Sequence, residues 1–198
     1  MSPAAPDRTA LLVKLPVFAA AALPGLGLAW RLLDGSLAAN PYQPVIRETG
    51  LWSLRLLVIG FAITPLATLG GLTPLLRVRR MIGLFAALYA AAHLAAWAKD
   101  FAFAWGFLAD EIAQRLYLGI GAVAALAMLI LAATSGETMA GWIGVQRWRR
   151  LHGLVYVALV GALAHYVLAR RAGFVELIGY GAALALLGGW RVVQRVRS

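Results

Sequence analysis

Residues 77–100 read RVRRMIGLFAALYAAAHLAAWAKD, and the reading of this stretch decides the fold. Arg77, Arg79 and Arg80 precede 18 residues, Met81 to Ala98, that carry no formal charge, and Lys99 and Asp100 close the run. A helix that crosses a bilayer needs about 20 mostly apolar residues and tolerates charge chiefly at its ends. The same count outward along the chain finds five more runs: Leu15 to Trp30 (16 residues), Leu56 to Leu76 (21), Leu116 to Gly136 (21), Leu151 to Ala169 (19) and Leu177 to Trp190 (14). The last extends back past Glu176 to Ala172. Phe101 to Ala109 is too short to cross, and its Phe101, Phe103, Trp105 and Phe107 read as an interfacial segment.

Composition agrees. Of 198 residues 62% are hydrophobic and 13% charged, with a mean hydropathy of +0.80, which excludes a water-soluble globular domain. The formal charge of +10 would suggest nucleic acid in a soluble protein. Here it describes basic loops, so lipid is the expected partner and nucleic acid is not. The absence of Cys removes disulfides, thiolate-bound iron–sulfur clusters and Cys-ligated zinc.

Drawing the six helices alternately separates the charges, and the positive-inside rule then puts both termini in the cytoplasm. That side carries Arg8, Lys14, Arg77, Arg79, Arg80, Arg147, Arg149, Arg150, Arg191, Arg195 and Arg197, which is 11 of the 18 bases. The opposite side carries Asp34, Glu48, Asp100, Asp110, Glu111 and Glu176, 6 of the 8 acids, of which the first five are expected to steer the basic surface of a partner. Arg8 and Lys14 ahead of a short apolar run ending near Ser36-Leu37-Ala38 also resemble a cleaved leader, but Pro16, Pro24 and Trp30-Arg31 fit a retained first helix better. The longest connections, Leu33 to Leu51 and Ser135 to Arg150, leave no room for a nucleotide-binding fold. No Walker loop, strand-linked GxGxxG or clear internal repeat is visible. The expectation is an all-α, polytopic six-helix bundle in one domain, 1–198, with helices near 11–33, 51–70, 81–99, 116–135, 151–169 and 173–191.

The chain has three histidines, His93, His152 and His165, and all fall within these runs. Ionisable groups inside a membrane usually face the bundle interior and are functional. A proton path, a metal site or axial ligation of heme iron are the chemistries open to them, and an interhelical hydrogen bond is the structural alternative. Depth discriminates. His93 lies 13 residues beyond Arg80 and His165 lies 15 beyond Arg150, about 20 and 22 Å along parallel helices. Two imidazoles at one level clamp a flat macrocycle, giving a six-coordinate b-type heme, and no CxxCH is present for covalent attachment. His152 stands near the cytoplasmic interface, roughly 140° around an ideal helix from His165, so both face one groove only if the helix is unwound or bulged near Gly153 or Gly161. Its counterpart on the third helix would be Arg79. His152 therefore serves an incompletely His-ligated second heme or another cytoplasmic-side cofactor. The basic residues there anchor the topology, and one or two, Arg77 and Arg80 among them, are expected to pair with heme propionates or a flavin phosphate. Trp148 reads first as an interface-belt residue. A small transporter or proton channel is the rival reading, and a stand-alone ferric or quinone reductase another.

The stretch Leu76-Arg77-Val78-Arg79-Arg80-Met81-Ile82-Gly83-Leu84 with Tyr89 and His93-Leu94 resembles the MsrQ (YedZ) family, the heme-binding membrane subunits of a bacterial periplasmic methionine sulfoxide reductase system. So do Arg115-Leu116-Tyr117-Leu118, Thr134-Ser135, Arg147-Trp148, Leu151-His152, Val155-Tyr156 and His165-Tyr166. The resemblance implies a ferric-reductase-like transmembrane protein of the inner membrane, with heme histidines at His93, His152 and His165. It implies electrons passed outward to a periplasmic molybdopterin partner, MsrP in that family, which carries out the sulfoxide chemistry. It also implies bound FMN and electrons from a cytosolic flavin reductase or from quinones. The site residues read from the chain are thus the metal-ligating His93, His165 and His152, with Arg77, Arg80 and Trp148 as further cofactor contacts. No catalytic residue is expected.

Overall fold

Helix starts and stops follow where proline, glycine and charge fall. The computed structural model describes residues 8–37, 39–136, 138–170 and 174–197, and all regular structure among them is helical. The elements are α1 (Arg8–Leu33), α2 (Tyr42–Leu69), a 3₁₀ segment (Thr73–Val78), α3 (Arg79–Asp100), α4 (Trp105–Gln114), α5 (Leu116–Ala133), α6 (Met139–Ile143), α7 (Val145–Leu151), α8 (Leu154–Arg170) and α9 (Phe174–Arg197). Among the described residues five stretches are long and apolar enough to cross a membrane: Leu11–Leu33, Tyr42–Leu69, Thr73–Asp100, Leu116–Ala133 and Val145–Ala169. The sixth expected span corresponds to α9, which has 24 residues and is not among those five. The start expected at 173, and Ala38 of the leader reading, lie outside the described residues.

Two boundaries depart from expectation. The second helix begins at Tyr42 rather than near residue 51, which shortens the first connection to 34–41. Counting uncharged residues hid this, because Arg47, Glu48 and Arg55 interrupt a helix that nonetheless continues through them. Pro41 and Pro44 fall at its start, where backbone N–H groups have no helical acceptor to lose, and the Asn40 side chain accepts the Tyr42 N–H at 3.0 Å. The helix stops at Leu69, next to the end expected near residue 70, before Gly70-Gly71 with Gly71 at φ +66°. The fifth span is broken at His152 and Gly153, which join α7 to α8 through short i→i+3 bonds, Val155 N–H to His152 O at 3.3 Å and Tyr156 N–H to Gly153 O at 3.1 Å. The unwinding that the phase argument required near Gly153 is therefore present. The short aromatic segment after α3 turns through Ala102 and Phe103, both at positive φ, into the ten-residue α4.

Two helix pairs form the body: α2 lies along α3, and α5 lies along α8, with α3 meeting α5 between them. The core runs through Leu56, Leu57, Phe61, Ile82, Ala86, Ala127, Met128, Ala158 and Leu159. Ala86 and Ala158 are 0% exposed, and each stands seven residues, two helical turns, before a histidine. Small side chains there let helices approach closely, which is how packing is gained where apolar surroundings offer no hydrophobic drive. Ser53 uses that proximity to donate to the Ala86 carbonyl at 2.9 Å. Gly161 faces Ala124 so closely that a Cβ on it would lie 3.1 Å from the alanine methyl.

Candidate functional site

His93 projects from α3 and His165 from α8, and the fold brings them together with ring centroids 6.1 Å apart and planes at 83°. Each ring is tied in the same way to the partner helix of its own pair. His93 Nδ1 lies 2.7 Å from the Ile46 carbonyl of α2, and His165 Nδ1 lies 2.7 Å from the Tyr117 carbonyl of α5. A carbonyl only accepts, so both Nδ1 atoms carry a proton, and the neutral tautomer with that proton has its lone pair on Nε2. A glycine follows each accepting carbonyl by four residues, Gly50 and Gly121. A Cβ at Gly50 would sit 2.9 Å from His93 Nδ1, and one at Gly121 would sit 2.6 Å from His165 Nδ1. The two glycines are thus what lets each imidazole reach the flank of its neighbouring helix.

This repetition has no counterpart as a clear internal repeat in the sequence. Gly50 precedes His93 by 43 residues and Gly121 precedes His165 by 44. Such a spacing is the only signal the sequence offered, and it becomes meaningful once the two histidines are known to be equivalent. The step of 72 residues that carries His93 to His165 also carries Ala86 to Ala158 and Arg80 to His152.

The pair opens on a cavity of about 1050 Å³ between the two halves. Its deep wall is apolar, including Leu54, Ala124, Ala125, Met128 and Ala162, and its mouth carries Asn40, Gln43, Arg47, Glu111 and Arg115. Among the described residues no cluster of three His, Cys, Asp or Glu side chains could hold a bare metal ion. Two imidazoles alone suit a metal whose other ligands come with it, as in a porphyrin. Imidazole nitrogens bind metals at about 2 Å, so a metal between two opposed rings separates their centres by roughly 6 Å. The observed separation, the free Nε2 atoms and the cavity volume all fit such a group.

Arg77 and Arg80, expected as cofactor contacts, are exposed at the opposite, basic end and do not line this cavity. The acids expected to steer a partner are mostly engaged within the chain. Glu48 pairs with Arg31 at 3.2 Å, Glu111 with Arg115 at 2.6 Å, Asp100 accepts from Asn40 and Gln43, and Asp34 accepts the Ser36 N–H. The hydroxyl and backbone of Ser36 hold the Asp34 carboxyl below its ordinary range. Of the five, only Asp110 is exposed without such a bond among the described residues. Partner steering by this set of acids therefore loses most of its basis.

At the basic end His152 sits in the break between α7 and α8. Its ring stacks on Trp148 at 4.0 Å, and its Nε2 lies 3.3 Å from Thr134 Oγ1 and 3.4 Å from Thr134 O. Trp148 Nε1 donates to the same carbonyl at 2.9 Å, so a tryptophan first read as a belt residue is built into the histidine's surroundings. Arg79 is within electrostatic range of His152, Tyr156 and Arg191. Arg191 lies over the Phe61 ring at 3.8 Å and donates to the Phe61 carbonyl at 2.9 Å. That carbonyl is free because Pro65, its i+4 neighbour, has no N–H. His152 does not line the cavity of the other two histidines.

A family model described as the ferric reductase like transmembrane component matches residues 49–163, a span that contains Gly50, His93, Gly121 and His152 and stops just short of His165. The chain is 41% identical over 175 residues to a Caulobacter vibrioides protein named protein-methionine-sulfoxide reductase heme-binding subunit MsrQ, covering 86% of this chain and 82% of that one. Proteins of the same name from Azospira oryzae and Rhodospirillum rubrum are each 38% identical, over 190 and 187 residues, covering 93% and 94% of this chain and 80% and 90% of theirs. No solved structure matches the chain.

Proposed function

The chain belongs to the ferric reductase like transmembrane family and, within it, to the MsrQ heme-binding subunits, and from that premise we propose that it is the b-type heme subunit that carries electrons across the bacterial inner membrane to a periplasmic molybdopterin methionine sulfoxide reductase. In this reading residues 1–198 form one six-span domain with both termini in the cytoplasm, α9 being the sixth span. His93 and His165 hold the heme. A heme with two imidazole ligands supplies one-electron transfer and has no open coordination position, which suits relay over oxygen activation. The chain's own contribution is to hold two neutral imidazoles in one tautomer through the Ile46 and Tyr117 carbonyls, to exclude water with an apolar wall, and to set the basicity of Nε2 by the strength of the Nδ1–H bond.

His152, Trp148, Arg77 and Arg80 stand at the cytoplasmic end in this topology. They receive the electron source, whether a flavin reductase with bound FMN, quinone, or a second heme with His152 as one ligand. Sulfoxide reduction takes place on an MsrP-like partner, so no catalytic residue is assigned to this chain. The observation that carries the reading is the matched pair of Nδ1–carbonyl bonds behind two rings 6.1 Å apart.

The test is a visible spectrum of the purified chain, oxidised and dithionite-reduced, with a pyridine hemochrome count. A low-spin b-type spectrum at one heme per chain is the expected result, and two per chain assigns His152 to the second. A chain that stays colourless after expression with added heme overturns the reading in favour of a transporter. A heme protein that reduces ferric chelates or quinones but gives no electrons to the molybdopterin partner is a stand-alone reductase.

A further inference from the structure

We propose that Arg47 and Arg115 form a two-armed carboxylate clamp at the mouth of the cavity, one arm from each half, that takes the two propionates of the heme and so fixes its acid edge toward the periplasm. The proposal rests on the heme reading above and adds to it an orientation and two binding residues. Heme is an amphipathic disc: three of its edges are apolar, and one carries two carboxylates. The cavity is amphipathic in the same sense, with Leu54, Ala124, Ala125, Met128 and Ala162 lining its depth and polar side chains at its mouth. Two carboxylates buried beside an apolar wall without cations are costly. Among the described residues, Arg47 and Arg115 are the Lys or Arg side chains that line this cavity.

Position along the helices makes them equivalent. Arg47 follows Ile46, whose carbonyl holds His93; Arg115 stands two residues before Tyr117, whose carbonyl holds His165. At 1.5 Å per residue each guanidinium is rooted within about 3 Å, along the axis, of the backbone group that positions its own histidine. Both lie toward the helix starts, the side away from the apolar depth.

Their present partners differ. Glu48, next to Arg47, is given to Arg31, and Arg47 has no carboxylate partner among the described residues. Arg115 is held from one edge by Glu111, through Nε at 2.6 Å and one terminal nitrogen at 3.1 Å. A guanidinium carries five N–H donors in a planar fork, so its remaining edge still matches a carboxylate. Arg47 is therefore the open arm and Arg115 the braced one.

The experiment measures heme dissociation by transfer to excess apomyoglobin, using the full chain loaded either with heme b or with its propionate dimethyl ester. In the wild type the ester is expected to leave about tenfold or more faster than heme b, the worth of a charge-assisted hydrogen bond. Arg47→Ala should speed the loss of heme b by a similar factor and leave the loss of the ester unchanged, while Arg47→Lys restores part of the difference. Midpoint potential gives a second readout: Arg47→Ala should lower it, because a cation near the iron favours the reduced, less positive centre. Equal dissociation of heme b and ester in the wild type overturns the clamp without needing any variant to fold, and leaves the heme reading intact. A wild-type chain that takes up neither compound as a low-spin heme overturns the heme reading itself.

Discussion

The paired histidines and the histidine at the basic end are built on opposite principles. His93 and His165 each sit inside an unbroken helix, each bonded through Nδ1 to a carbonyl that the neighbouring helix already uses, and each admitted by a glycine. His152 sits where the helix is interrupted, stacks on an aromatic ring and meets the end of α5 through Thr134. The first arrangement is rigid and occurs twice, which is what the proposed ligand pair requires. The second is single. The 72-residue step that gives His93 its counterpart gives His152 an arginine, Arg80.

The comparison breaks most directly at the ligands. His93→Ala or His165→Ala is expected to abolish the low-spin heme completely, while His152→Ala leaves it and removes only what the basic end holds. Hemochrome counts and reduced spectra on the three variants check this. Loss of all heme from His152→Ala, with His93→Ala retaining it, would reverse the assignment of the two levels.

The glycines come next in size. Gly121→Ala places a methyl 2.6 Å from His165 Nδ1 and 2.9 Å from its Cε1, whereas Gly50→Ala places one 2.9 Å from His93 Nδ1. Both should cut heme occupancy several-fold, with Gly121→Ala the worse. Gly83→Ala, whose Cβ would meet nothing within 4 Å, should leave occupancy unchanged while gaining roughly 1 kcal/mol of helix propensity. Equal occupancy in all three would show that the rings do not need the glycine cradles.

These glycines also mark the limit of what the sequence made legible. The spans were readable because a missing charge is a strong signal in a membrane helix, and the histidines because an ionisable group there is rare. Depth alone placed His93 and His165 at one level. Gly50 and Gly121 were not readable, since a glycine in an apolar helix announces close packing without saying against what. The start of α2 was missed because Arg47 and Glu48 looked like loop residues, and the same two charges concealed that one of them faces the cavity. The cluster around Arg77 and Arg80 is conspicuous in the sequence, whereas Arg47 and Arg115, which line the cavity, stand apart from it and carry no such signal.

A smaller effect separates the two ends by stability. Arg191 supplies the donor that Pro65 denies to the Phe61 carbonyl, so Arg191→Met leaves a buried acceptor unpaired, at about 1–3 kcal/mol. The apparent melting temperature in detergent should fall, and heme content at the His93–His165 pair should not. Pro65→Ala restores a backbone N–H to that carbonyl, so in its background the cost of Arg191→Met should shrink. Undiminished cost in the double variant would assign the role of Arg191 to its ring contacts with Phe61 and Tyr156.

The smallest expected effect tests whether His93 depends on α1 at all. Tyr89 lies one helical turn before His93, and its hydroxyl bridges a gap in α1, accepting from Gly25 N–H at 2.7 Å and donating to the Ala21 carbonyl at 2.9 Å. Those two groups are i and i+4 in α1, the pair a regular helix bonds directly. Tyr89→Phe removes the bridge, but a slight closing of α1 lets Gly25 N–H reach the Ala21 carbonyl itself, so the loss should be about 1 kcal/mol or less. Heme occupancy should match the wild type, because the Ile46 carbonyl of α2, not α1, orients the His93 ring. A spectrum altered by this one oxygen would mean that α1 sets the tilt of α3. The two ligands would then cease to be equivalent, because only one half of the molecule has α1 packed against its histidine helix.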